Sequence, residues 1–378
     1  MEFRDLKRQY QKLKPAIDQA ILSTLASGNY IMGESVKNLE NTLAQYVGVK
    51  HCLTCSNGTD ALTLALKAWN IGEGDAVFVP DFTFFATAES VAREGATPVF
   101  VDVCPDSYNI NPNSLNKAIK AIREEGRLQP KAIVAVDLFG LPADYLALRQ
   151  LSQIYQLPIL EDAAQGFGGR IGNKQACSFG DIAITSFFPA KPLGCYGDGG
   201  ALFTNCEKWA NDIDSYRQHG KGKDKYDNIR IGLNSRLDTI QASILQVKLN
   251  AFQEHELESI QKAAKQYHQL LSDLKDMVSL PISPTGYYSS WAQYTIQLSS
   301  EELRTKVYQY LREQDIPCMV YYPKTMSQQK AFAQNRQYVE TPIAQSLCKT
   351  VLSIPIHPYI TIDEIEQVSK AIHKVILH

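Results

Sequence analysis

The chain lacks any hydrophobic run long enough to cross a membrane, and neither charge is in large excess. Its 38 basic and 40 acidic residues leave a formal net charge of −2, so we expect no broad attraction to nucleic acid or to an anionic membrane. The longest apolar runs fall well short of the ~20 residues of a membrane helix. The N-terminus, Met-Glu-Phe-Arg-Asp-Leu-Lys-Arg, has no apolar signal core. We therefore expect a cytoplasmic protein with no nucleic-acid or membrane partner.

The eight cysteines are scattered and lack the pattern of a zinc site. Cys52 and Cys55 have C-x-x-C spacing, which is compatible with metal binding or redox chemistry. No second pair with zinc-site spacing follows, and His51 has no other potential ligands nearby. We therefore expect buried, reduced thiols at these positions and no metal site.

Two common nucleotide-binding motifs are also missing. The chain has no G-x-G-x-x-G after its first predicted strand, which argues against a nicotinamide oxidoreductase, and no Gly-Lys-Ser/Thr element of a P-loop. What is present is a composition typical of a folded protein, with 44% hydrophobic residues over 378 positions. That length suits one large domain and a smaller one.

Apolar runs alternate with helical patterns between about residues 50 and 205. Short buried strands are predicted at 51–55, 76–80, 98–103, 132–138, 158–161, 182–187 and 201–204. Helices are predicted between several of them, at 61–69, 87–94, 115–125 and 145–155. This alternation predicts an α/β fold with a mostly parallel seven-stranded sheet between helices. Ligands of such sheets bind at the carboxyl ends of the strands.

The pattern changes near residue 237. Residues 237–274 predict a long helix that crosses between domains. The remainder predicts a smaller α+β unit, with strands near 293–298 and 317–322 and helices near 301–314 and 362–376. We therefore assign residues 1–245, including an N-terminal arm, to a large ligand-binding domain and residues 246–378 to a small C-terminal domain.

The most informative stretch is Ser-Phe-Phe-Pro-Ala-Lys-Pro-Leu-Gly-Cys-Tyr-Gly-Asp-Gly-Gly at residues 186–200. Its lysine, Lys191, follows a predicted strand and is flanked by Pro189 and Pro192, which restrict the backbone. The glycines that follow let the chain approach a bound group closely. A lysine held in this way can form a Schiff base with an aldehyde cofactor. Most lysines are ordinary surface residues, but three other segments fit the same cofactor.

One of these segments joins a strand to a helix and has the sequence Ser-Asn-Gly-Thr-Asp-Ala at residues 56–61. Backbone N–H groups at a helix N-terminus bind phosphate well. Gly58 removes side-chain bulk there, and Thr59 adds a hydroxyl group. Ser186, at the end of the strand before the lysine, could donate to the same phosphate. The alternatives are an ordinary helix cap and a strand-end hydroxyl with local partners.

The other two segments carry an acid and an aromatic ring at strand ends. Asp162 closes the predicted strand at 158–161 and so projects into the expected ligand crevice. A carboxylate there could pair with a protonated pyridine nitrogen and keep the ring an electron sink. Gln165 lies three residues on and could reach the same ring. One of the aromatics of residues 82–85 could stack on it. The alternatives are a helix-capping aspartate and core aromatics.

Together these segments resemble the pyridoxal 5'-phosphate (PLP)-dependent sugar aminotransferases of the DegT/StrS type, within the aspartate aminotransferase fold, fold type I. The resemblance runs from residues 3–6 to residues 355–359. Its most specific pieces are Asn-Gly-Thr-Asp-Ala-Leu at 57–62, Glu-Asp-Ala-Ala-Gln at 161–165, Ser-Phe-Phe-Pro-Ala-Lys at 186–191 and Gly-Asp-Gly-Gly at 197–200.

The resemblance implies a role for each matched residue. Lys191 would form the Schiff base with PLP and move protons between cofactor and substrate carbons, and Asp162 would hold the pyridine nitrogen protonated. Phe84 would stack on the ring, and Gln165 would contact its edge. The residues implied to bind the phosphate are Gly58, Thr59 and Ser186.

The resemblance also implies partners. Asn234 would reach the phosphate of the neighbouring subunit's cofactor, which implies a homodimer with shared active sites. Arg236, Tyr321 and Tyr322 would lie near the sugar nucleotide, although many relatives have His-Tyr-Pro where this chain has Tyr-Tyr-Pro at 321–323. This departure leaves the cofactor assignment intact and lies among the residues implied to contact the sugar.

Residues 194–198 and 234–238 look most like the members that aminate the 3-keto group of a UDP-linked 2-acetamido uronic acid, with glutamate as the expected donor. Such members serve the biosynthesis of surface polysaccharides such as O-antigen. Two other functions remain open on this fold. A sugar dehydratase would have histidine where Lys191 stands, and a non-catalytic regulatory relative would have lost the lysine or the acid.

Overall fold

The computed structural model describes residues 1–224 and 226–377. Two helices that the sequence patterns did not indicate precede the sheet, α1 (Leu6–Ser27) and α2 (Glu34–Val47). Asp5 caps α1 by accepting the Arg8 N–H at 2.8 Å, which satisfies one of the free donors of the first turn. Gly48 ends α2 with a φ of 82°, a conformation that glycine adopts without steric cost.

The next elements alternate between strand and helix. In chain order they are β1 (His51–Cys55), α3 (Gly58–Ala68), β2 (Asp75–Pro80), α4 (Phe85–Arg93), β3 (Thr97–Val101), α5 (Pro112–Glu125), β4 (Gln129–Val136), α6 (Tyr145–Tyr155), β5 (Ile159–Asp162), β6 (Arg170–Ile171), β7 (Lys174–Gln175), β8 (Ile182–Ser186), β9 (Gly200–Thr204) and α7 (Glu207–Tyr216).

The large sheet has seven strands in the order β1-β9-β8-β5-β4-β2-β3. All of them run parallel except β9, which is antiparallel to both of its neighbours. The strands are apolar and almost wholly buried because helices cover both faces: α3, α4 and α7 pack on one, and α2, α5, α6 and a later helix pack on the other. The predicted fold class, a mostly parallel seven-stranded α/β sheet, is confirmed.

The carboxyl ends of β2, β4, β5 and β8 meet at one edge of this sheet because these strands are parallel. The segment after β1 joins this edge through the antiparallel pair of β1 with β9. The loops that carry the candidate site residues therefore start from one rigid platform, as expected for an open α/β sheet.

The C-terminal part has its own sheet and its own hydrophobic core. Its elements are α8 (Thr239–Ala251), α9 (Leu257–Leu271), β10 (Val278–Ser279), β11 (Tyr287–Tyr288), β12 (Tyr294–Leu298), α10 (Glu301–Glu313), α11 (Pro342–Thr350), β13 (Val351–Ile354) and α12 (Ile362–Ile376). Strands β10, β12 and β13 form a three-stranded sheet. A buried cluster that extends from Ile260 to Ile372 packs between this sheet and its helices.

The long helix predicted over 237–274 is confirmed from Thr239 to Leu271, with a π-helical turn at Phe252–Glu256 between α8 and α9. One prediction for this part needs correction. The strand predicted near 317–322 is wrong: only Met319 pairs, in a single antiparallel bridge to Ser353. Pro317 has no N–H to extend the ladder. The strand at 293–298 and the helices at 301–314 and 362–376 are confirmed.

The predicted domain boundary between residues 245 and 246 falls inside α8, and the division into two domains stays a prediction. Strand β11 pairs with β6, which ties the C-terminal part to the hairpin of β6 and β7. None of the helices in the described ranges 1–224 and 226–377 is long and apolar enough to span a bilayer. All eight cysteines are free.

Candidate active site

Lys191 lies in a tight loop that follows β8. Its N–H donates to the Phe188 carbonyl oxygen at 2.8 Å, and the Cys195 N–H donates to the Phe187 carbonyl oxygen at 2.8 Å. A side chain at Gly194 would collide with the carbonyl oxygens of Phe188 and Pro189. The loop therefore needs glycine at this position, and it holds the partly buried lysine in one place.

Asp162 faces this lysine from the end of β5 and is 5% exposed. Its Oδ1 accepts the Ala164 N–H at 3.2 Å, and its Oδ2 accepts the Thr87 hydroxyl at 3.0 Å. Burial raises the pKa of Asp162, while these hydrogen bonds and the charge of Lys191 oppose the rise. The carboxylate is thus supported by one backbone donor, one hydroxyl and one nearby cation.

Burial lowers the pKa of the Lys191 amine, Asp162 raises it, and the positive charge of Arg4 lowers it further. A lysine whose pKa is lowered keeps more of its amine in the neutral, nucleophilic form near neutral pH. The pair therefore combines a reactive amine with a buried acid, which is the arrangement expected where charge changes during a reaction.

Gln165 and two aromatic rings form a second part of the site. The Gln165 Nε2 donates to the Tyr322 hydroxyl at 3.0 Å, and its Oε1 accepts the Phe139 N–H at 2.6 Å. The rings of Phe84 and Tyr322 have centroids 6.3 Å apart at an interplanar angle of 43°. Phe84 is 54% exposed, so its ring is accessible to a ligand.

Gly58 and Ser186 meet at a third corner. A Cβ at Gly58 would lie 2.8 Å from the Ser186 Cβ and 3.2 Å from its Oγ. Gly58 is the first residue of α3, whose cap, Asn57, accepts the Asp60 N–H at 2.7 Å. The N–H groups of Gly58 and Thr59 belong to the first turn, where no intrahelical acceptor exists. These donors and the Ser186 hydroxyl suit a phosphate group.

The segment at residues 234–238 reaches the same corner. The Ser235 hydroxyl, which is fully buried, lies 2.9 Å from the Ser56 hydroxyl and accepts the Ser56 N–H at 3.2 Å. Asn234 is exposed and pairs through its backbone with Gln218. The Arg236 Nε is buried and has no hydrogen-bond partner within residues 1–224 and 226–377. The predicted role of Asn234 toward a neighbouring subunit stays a prediction.

The Tyr321 and Tyr322 side chains lie in different surroundings. Tyr322 contacts Gln165, whereas the Tyr321 ring packs edge-on against Phe3 at a centroid distance of 6.2 Å. Burial raises the pKa of both tyrosines, so each stays a neutral hydroxyl. Tyr322 is therefore in contact with the predicted ring-edge residue, and Tyr321 is held against the N-terminal arm.

Two residues near the site were not predicted from the sequence. Thr87 supports Asp162, and Arg4 donates from Nη2 to the carbonyl oxygens of Lys191 at 2.9 Å and Pro192 at 3.2 Å. Thr87 lies in the first turn of α4, after the strand end at which the sequence already indicated ligand contacts. Arg4 belongs to the N-terminal stretch of the resemblance, but nothing local connects it to a loop 187 positions away.

The chemistry of these residues fits PLP. A constrained amine, a buried carboxylate, an exposed aromatic ring and a glycine-led helix N-terminus match an aldehyde, a pyridine nitrogen, a flat ring and a phosphate, respectively. The Gly58 position supports this fit most directly, because any larger residue would fill the space beside Ser186.

Comparison with known proteins agrees with this fit. A profile of the DegT/DnrJ/EryC1/StrS aminotransferase family matches residues 11–373. The chain is 41% identical over 372 residues to a UDP-2-acetamido-2-deoxy-3-oxo-D-glucuronate aminotransferase of Pseudomonas aeruginosa, covering 98% of this chain and 99% of that protein. It is 38% identical over 376 residues to a pleiotropic regulatory protein of Geobacillus stearothermophilus, covering 99% and 98%.

Solved structures of similar proteins superpose on this chain over its full length. A DegT DnrJ EryC1 StrS aminotransferase from Brucella abortus superposes with a TM-score of 0.95 at 45% identity, covering 100% of this chain and 99% of that one. NtdA from Bacillus subtilis, with bound cofactor PMP, gives 0.89 at 25% identity, covering 100% and 85%. The fold is that of fold type I aminotransferases. The chain belongs to the DegT/DnrJ/EryC1/StrS aminotransferase family, which confirms the resemblance.

Proposed function

We propose that this protein is a PLP-dependent aminotransferase that moves an amino group from glutamate onto the keto group of a nucleotide-linked sugar. The observation that carries the proposal is the constrained loop of Lys191 beside the buried Asp162. Each residue has a common structural alternative, a surface lysine and a helix cap. The combination of a lowered lysine pKa with a buried acid held by Thr87 and Ala164 favours chemistry over both alternatives.

When bound, PLP supplies an aldehyde carbon and a pyridine ring that can accept electrons. Lys191 would bind the aldehyde carbon through Nζ and later hold and move a proton at that atom. Asp162 would hold a proton on the pyridine nitrogen, because a buried carboxylate stabilises a neighbouring positive charge. Thr87 and the Ala164 N–H keep the carboxylate oriented for this role.

The remaining contacts would orient the cofactor. The first-turn N–H groups of Gly58 and Thr59 and the Ser186 hydroxyl would bind its phosphate, and Asn234 of a partner subunit would add a donor. The exposed ring of Phe84 would cover the cofactor ring, and Gln165, which Tyr322 orients, would contact the ring edge. None of these side chains needs to change its charge to do so.

For the substrate, we propose a UDP-linked 2-acetamido-3-keto uronic acid. The Pseudomonas aeruginosa relative is named for a substrate of this kind. Arg236 supports the proposal, because its Nε is buried and unpartnered among the described residues and its planar fork suits a carboxylate or a phosphate. Tyr321 and Tyr322 would contribute uncharged hydroxyl groups near the sugar nucleotide.

The proposal includes a setting. We infer a homodimer with shared active sites that acts in the cytoplasm, in the biosynthesis of surface-polysaccharide sugars such as those of O-antigen. The support is the resemblance of residues 234–238 to a motif that serves the partner's cofactor, together with the exposure of Asn234.

Borohydride reduction followed by peptide mapping tests the cofactor assignment. Protein purified with PLP should be yellow, and reduction should attach the cofactor to the peptide that contains Lys191. Lys191→Arg is the matched control, because it keeps a cation and should abolish both the colour and the adduct. An adduct on another lysine, or none after PLP is added, would refute the assignment.

A panel of keto-sugar nucleotides tested with glutamate examines the substrate. We expect the 3-keto uronic acid to be aminated fastest, and Arg236→Met to lower kcat/KM for this substrate far more than for a neutral keto-hexose nucleotide. Arg236→Lys should recover part of the loss, since it keeps the charge but not the fork. Equal losses on acidic and neutral sugars would contradict a carboxylate contact.

A regulatory function is the second candidate, because a relative of 38% identity is named a pleiotropic regulatory protein. The presence of both Lys191 and Asp162 speaks against a chain that has lost catalysis, and a lysine rather than a histidine at position 191 speaks against a dehydratase. Absence of turnover on the whole panel, with the cofactor adduct intact on Lys191, would favour the regulatory function.

A further inference from the structure

Arg4, in the arm that precedes α1, brings a cation to the lysine loop. Its Nη2 donates to the carbonyl oxygen of Lys191 at 2.9 Å and to that of Pro192 at 3.2 Å. These are two consecutive backbone carbonyl groups, that of the lysine and that of the proline that follows it. One planar guanidinium therefore fixes the backbone from which the reactive side chain extends.

A buried polar cluster surrounds Arg4. Glu256, in the π-helical turn, is 1% exposed and accepts the Gln9 Nε2 at 2.8 Å and the Tyr359 hydroxyl at 2.6 Å. Lys248 is also 1% exposed, and its Nζ lies 4.8 Å from the centre of the Tyr196 ring. Two buried cations, Arg4 and Lys248, thus act on one buried anion, Glu256.

The arm itself is held at both ends. The Phe3 ring packs against Tyr321. Arg8 donates to the Tyr359 carbonyl oxygen at 2.6 Å and to both carboxylate oxygens of Glu364 at 3.1 Å. Arg4 lies between these two anchors, so its guanidinium is fixed by the fold rather than by its own contacts alone.

Charged groups of both signs act on the lysine amine. Asp162 on β5 and Arg4 on the arm act on the Lys191 amine in opposite directions. Glu256, Lys248 and His357 act on Arg4 or are acted on by it.

The three basic groups of this cluster differ in charge state. Burial lowers the pKa of Arg4 to about 10 and that of Lys248 to about 8. Burial and the neighbouring Arg4 lower the pKa of His357 to about 4. Near neutral pH, Arg4 is therefore charged while His357 is not.

We propose that Arg4 is a positioning residue for Lys191: it holds the backbone of the lysine loop through the carbonyl groups of Lys191 and Pro192, and it keeps a positive charge near the lysine amine at neutral pH. The proposal rests on the proposed function of Lys191 as the cofactor-binding amine. The backbone contacts orient the side chain. The like charge disfavours protonation of the amine, so that more of it is available as a nucleophile near neutral pH.

Two variants separate the charge from the hydrogen bonds. Arg4→Gln keeps an N–H₂ donor for the carbonyls but removes the charge, and Arg4→Lys keeps the charge but loses the planar fork. Arg123→Lys is the control, because Arg123 is a surface arginine that donates to the Tyr155 carbonyl oxygen far along the chain from the loop. Before labelling, each of the three variants is checked for a urea unfolding midpoint equal to that of the wild type.

Competitive acetylation measures the amine without relying on turnover. The full-length chain, purified without PLP, is labelled with trace acetic anhydride between about pH 6 and 10, the range where lysines titrate, and Lys191 labelling is read by peptide mass spectrometry. In Arg4→Gln we expect Lys191 labelling near neutral pH to fall by about threefold, with the midpoint at higher pH, because a like charge is gone. Arg4→Lys should titrate like the wild type.

Spectroscopy and kinetics on the PLP-loaded protein complete the test. In Arg4→Gln, the visible absorbance band should persist to higher pH than in the wild type. The acid limb of the pH profile of kcat/KM should also shift to higher pH. An unchanged or lowered labelling midpoint in Arg4→Gln, or equal shifts in Arg4→Gln and Arg4→Lys, would overturn the proposal. A labelling shift in a chain that binds no PLP would instead refute the proposed function and leave the electrostatic effect of Arg4 standing.

Discussion

Gly58 and Ser186 limit each other's size at the proposed phosphate corner. Position 58 has room only for the hydrogen of a glycine, because a Cβ there would lie 2.8 Å from the Ser186 Cβ. We expect Gly58→Ala to weaken PLP binding by about tenfold, since overpacking of this kind costs ~1–3 kcal/mol. Equilibrium dialysis of PLP measures the effect. Gly72→Ala is the control, because its new Cβ would meet nothing closer than the Glu94 carbonyl oxygen at 3.8 Å. Equal PLP retention in the two variants would contradict a phosphate site at Gly58.

Asp162 tests whether a buried acid acts in chemistry or only caps a turn. Asp162→Asn keeps an oxygen for the Ala164 N–H and should still retain PLP. Its turnover should fall more than a hundredfold, because removing one preorganised electrostatic contact costs on the order of 3 kcal/mol. Asp144→Asn is the matched control, since Asp144 caps α6 by accepting the Ala147 N–H at 3.0 Å and asparagine caps equally well. Near-normal turnover in both variants would show that Asp162 is only a cap.

At the scale of secondary structure, two adjacent strands bring together two buried acids. Glu161 on β5 pairs with Ala135 on β4, and Asp137 lies two residues beyond Ala135, so both acids project to the same face of the sheet. Glu161 accepts three backbone N–H groups from residues 177–180. The Asp137 Oδ2 is buried and lacks a hydrogen-bond partner in the described part of the chain.

Burial raises the pKa of Glu161 from 4.5 to about 7, and burial together with the charge of Glu161 raises the pKa of Asp137 well above its usual range. The folded protein therefore holds a proton that the unfolded chain releases between about pH 4.5 and 7. The sign follows from linkage: the folded state binds more protons in this window, so stability falls as pH rises through the pKa of Glu161, and the contribution of Glu161 is lost above about pH 7.

Asp137→Asn should flatten this pH dependence. The variant keeps an oxygen for the Ala143 N–H and the Tyr145 hydroxyl, removes one negative charge, and offers an N–H₂ group where the Asp137 Oδ2 now lacks a partner. The proton that Asp137 binds in the folded state then no longer contributes, which leaves Glu161 as the remaining source of the pH dependence. Urea unfolding midpoints on both sides of neutrality measure the effect, with exposed Asp106→Asn as the control. If the variant lost as much stability as the wild type when the pH is raised, Asp137 would not contribute to the pH dependence.

At the scale of the whole molecule, the proposed dimer predicts how two inactive variants behave when they are mixed. If Arg236 serves the partner's site, then inactive Lys191→Ala and inactive Arg236→Ala subunits should restore activity when mixed. A mixed dimer would contain one site with both defects and one with neither, so up to about half of its sites would be intact, as a two-fold symmetric interface requires. Native mass spectrometry monitors the exchange of subunits, and the turnover of the exchanged mixture measures how much activity is restored.

The matched control for this mixture is Lys191→Ala with Asp162→Asn. Lys191 and Asp162 act on each other within one chain, so every site of that mixed dimer would keep one defect and stay nearly inactive. If the Arg236 mixture also stays inactive despite demonstrated exchange, the residue serves its own subunit. The contact of Ser235 with Ser56 of the same chain makes this a real alternative.

Local patterns were sufficient for the strands and for the motifs of the site. The seven strands of the large sheet were predictable because each is a short apolar run bounded by turns, and burial on both faces makes such runs continuous. Lys191, Asp162 and Gly58 were predictable as candidates because each lies at or shortly after the end of a strand, where parallel topology brings loops to one edge. Their predicted roles still await the experiments above.

Contacts between distant segments could not be predicted in this way. Arg4 reaches the carbonyl of Lys191 across 187 positions, and Gln165 reaches Tyr322 across 157, so no local propensity links these residues. The turn that divides 237–274 and the single bridge at Met319 likewise depend on what packs beside them. The sequence by itself determined the strands of the large sheet and the family, and it indicated the residues proposed for the chemistry, because these follow from local patterns of apolar, glycine and charged residues. Only the tertiary structure decided which side chains surround the lysine, because burial and charge near an amine depend on residues brought together by folding.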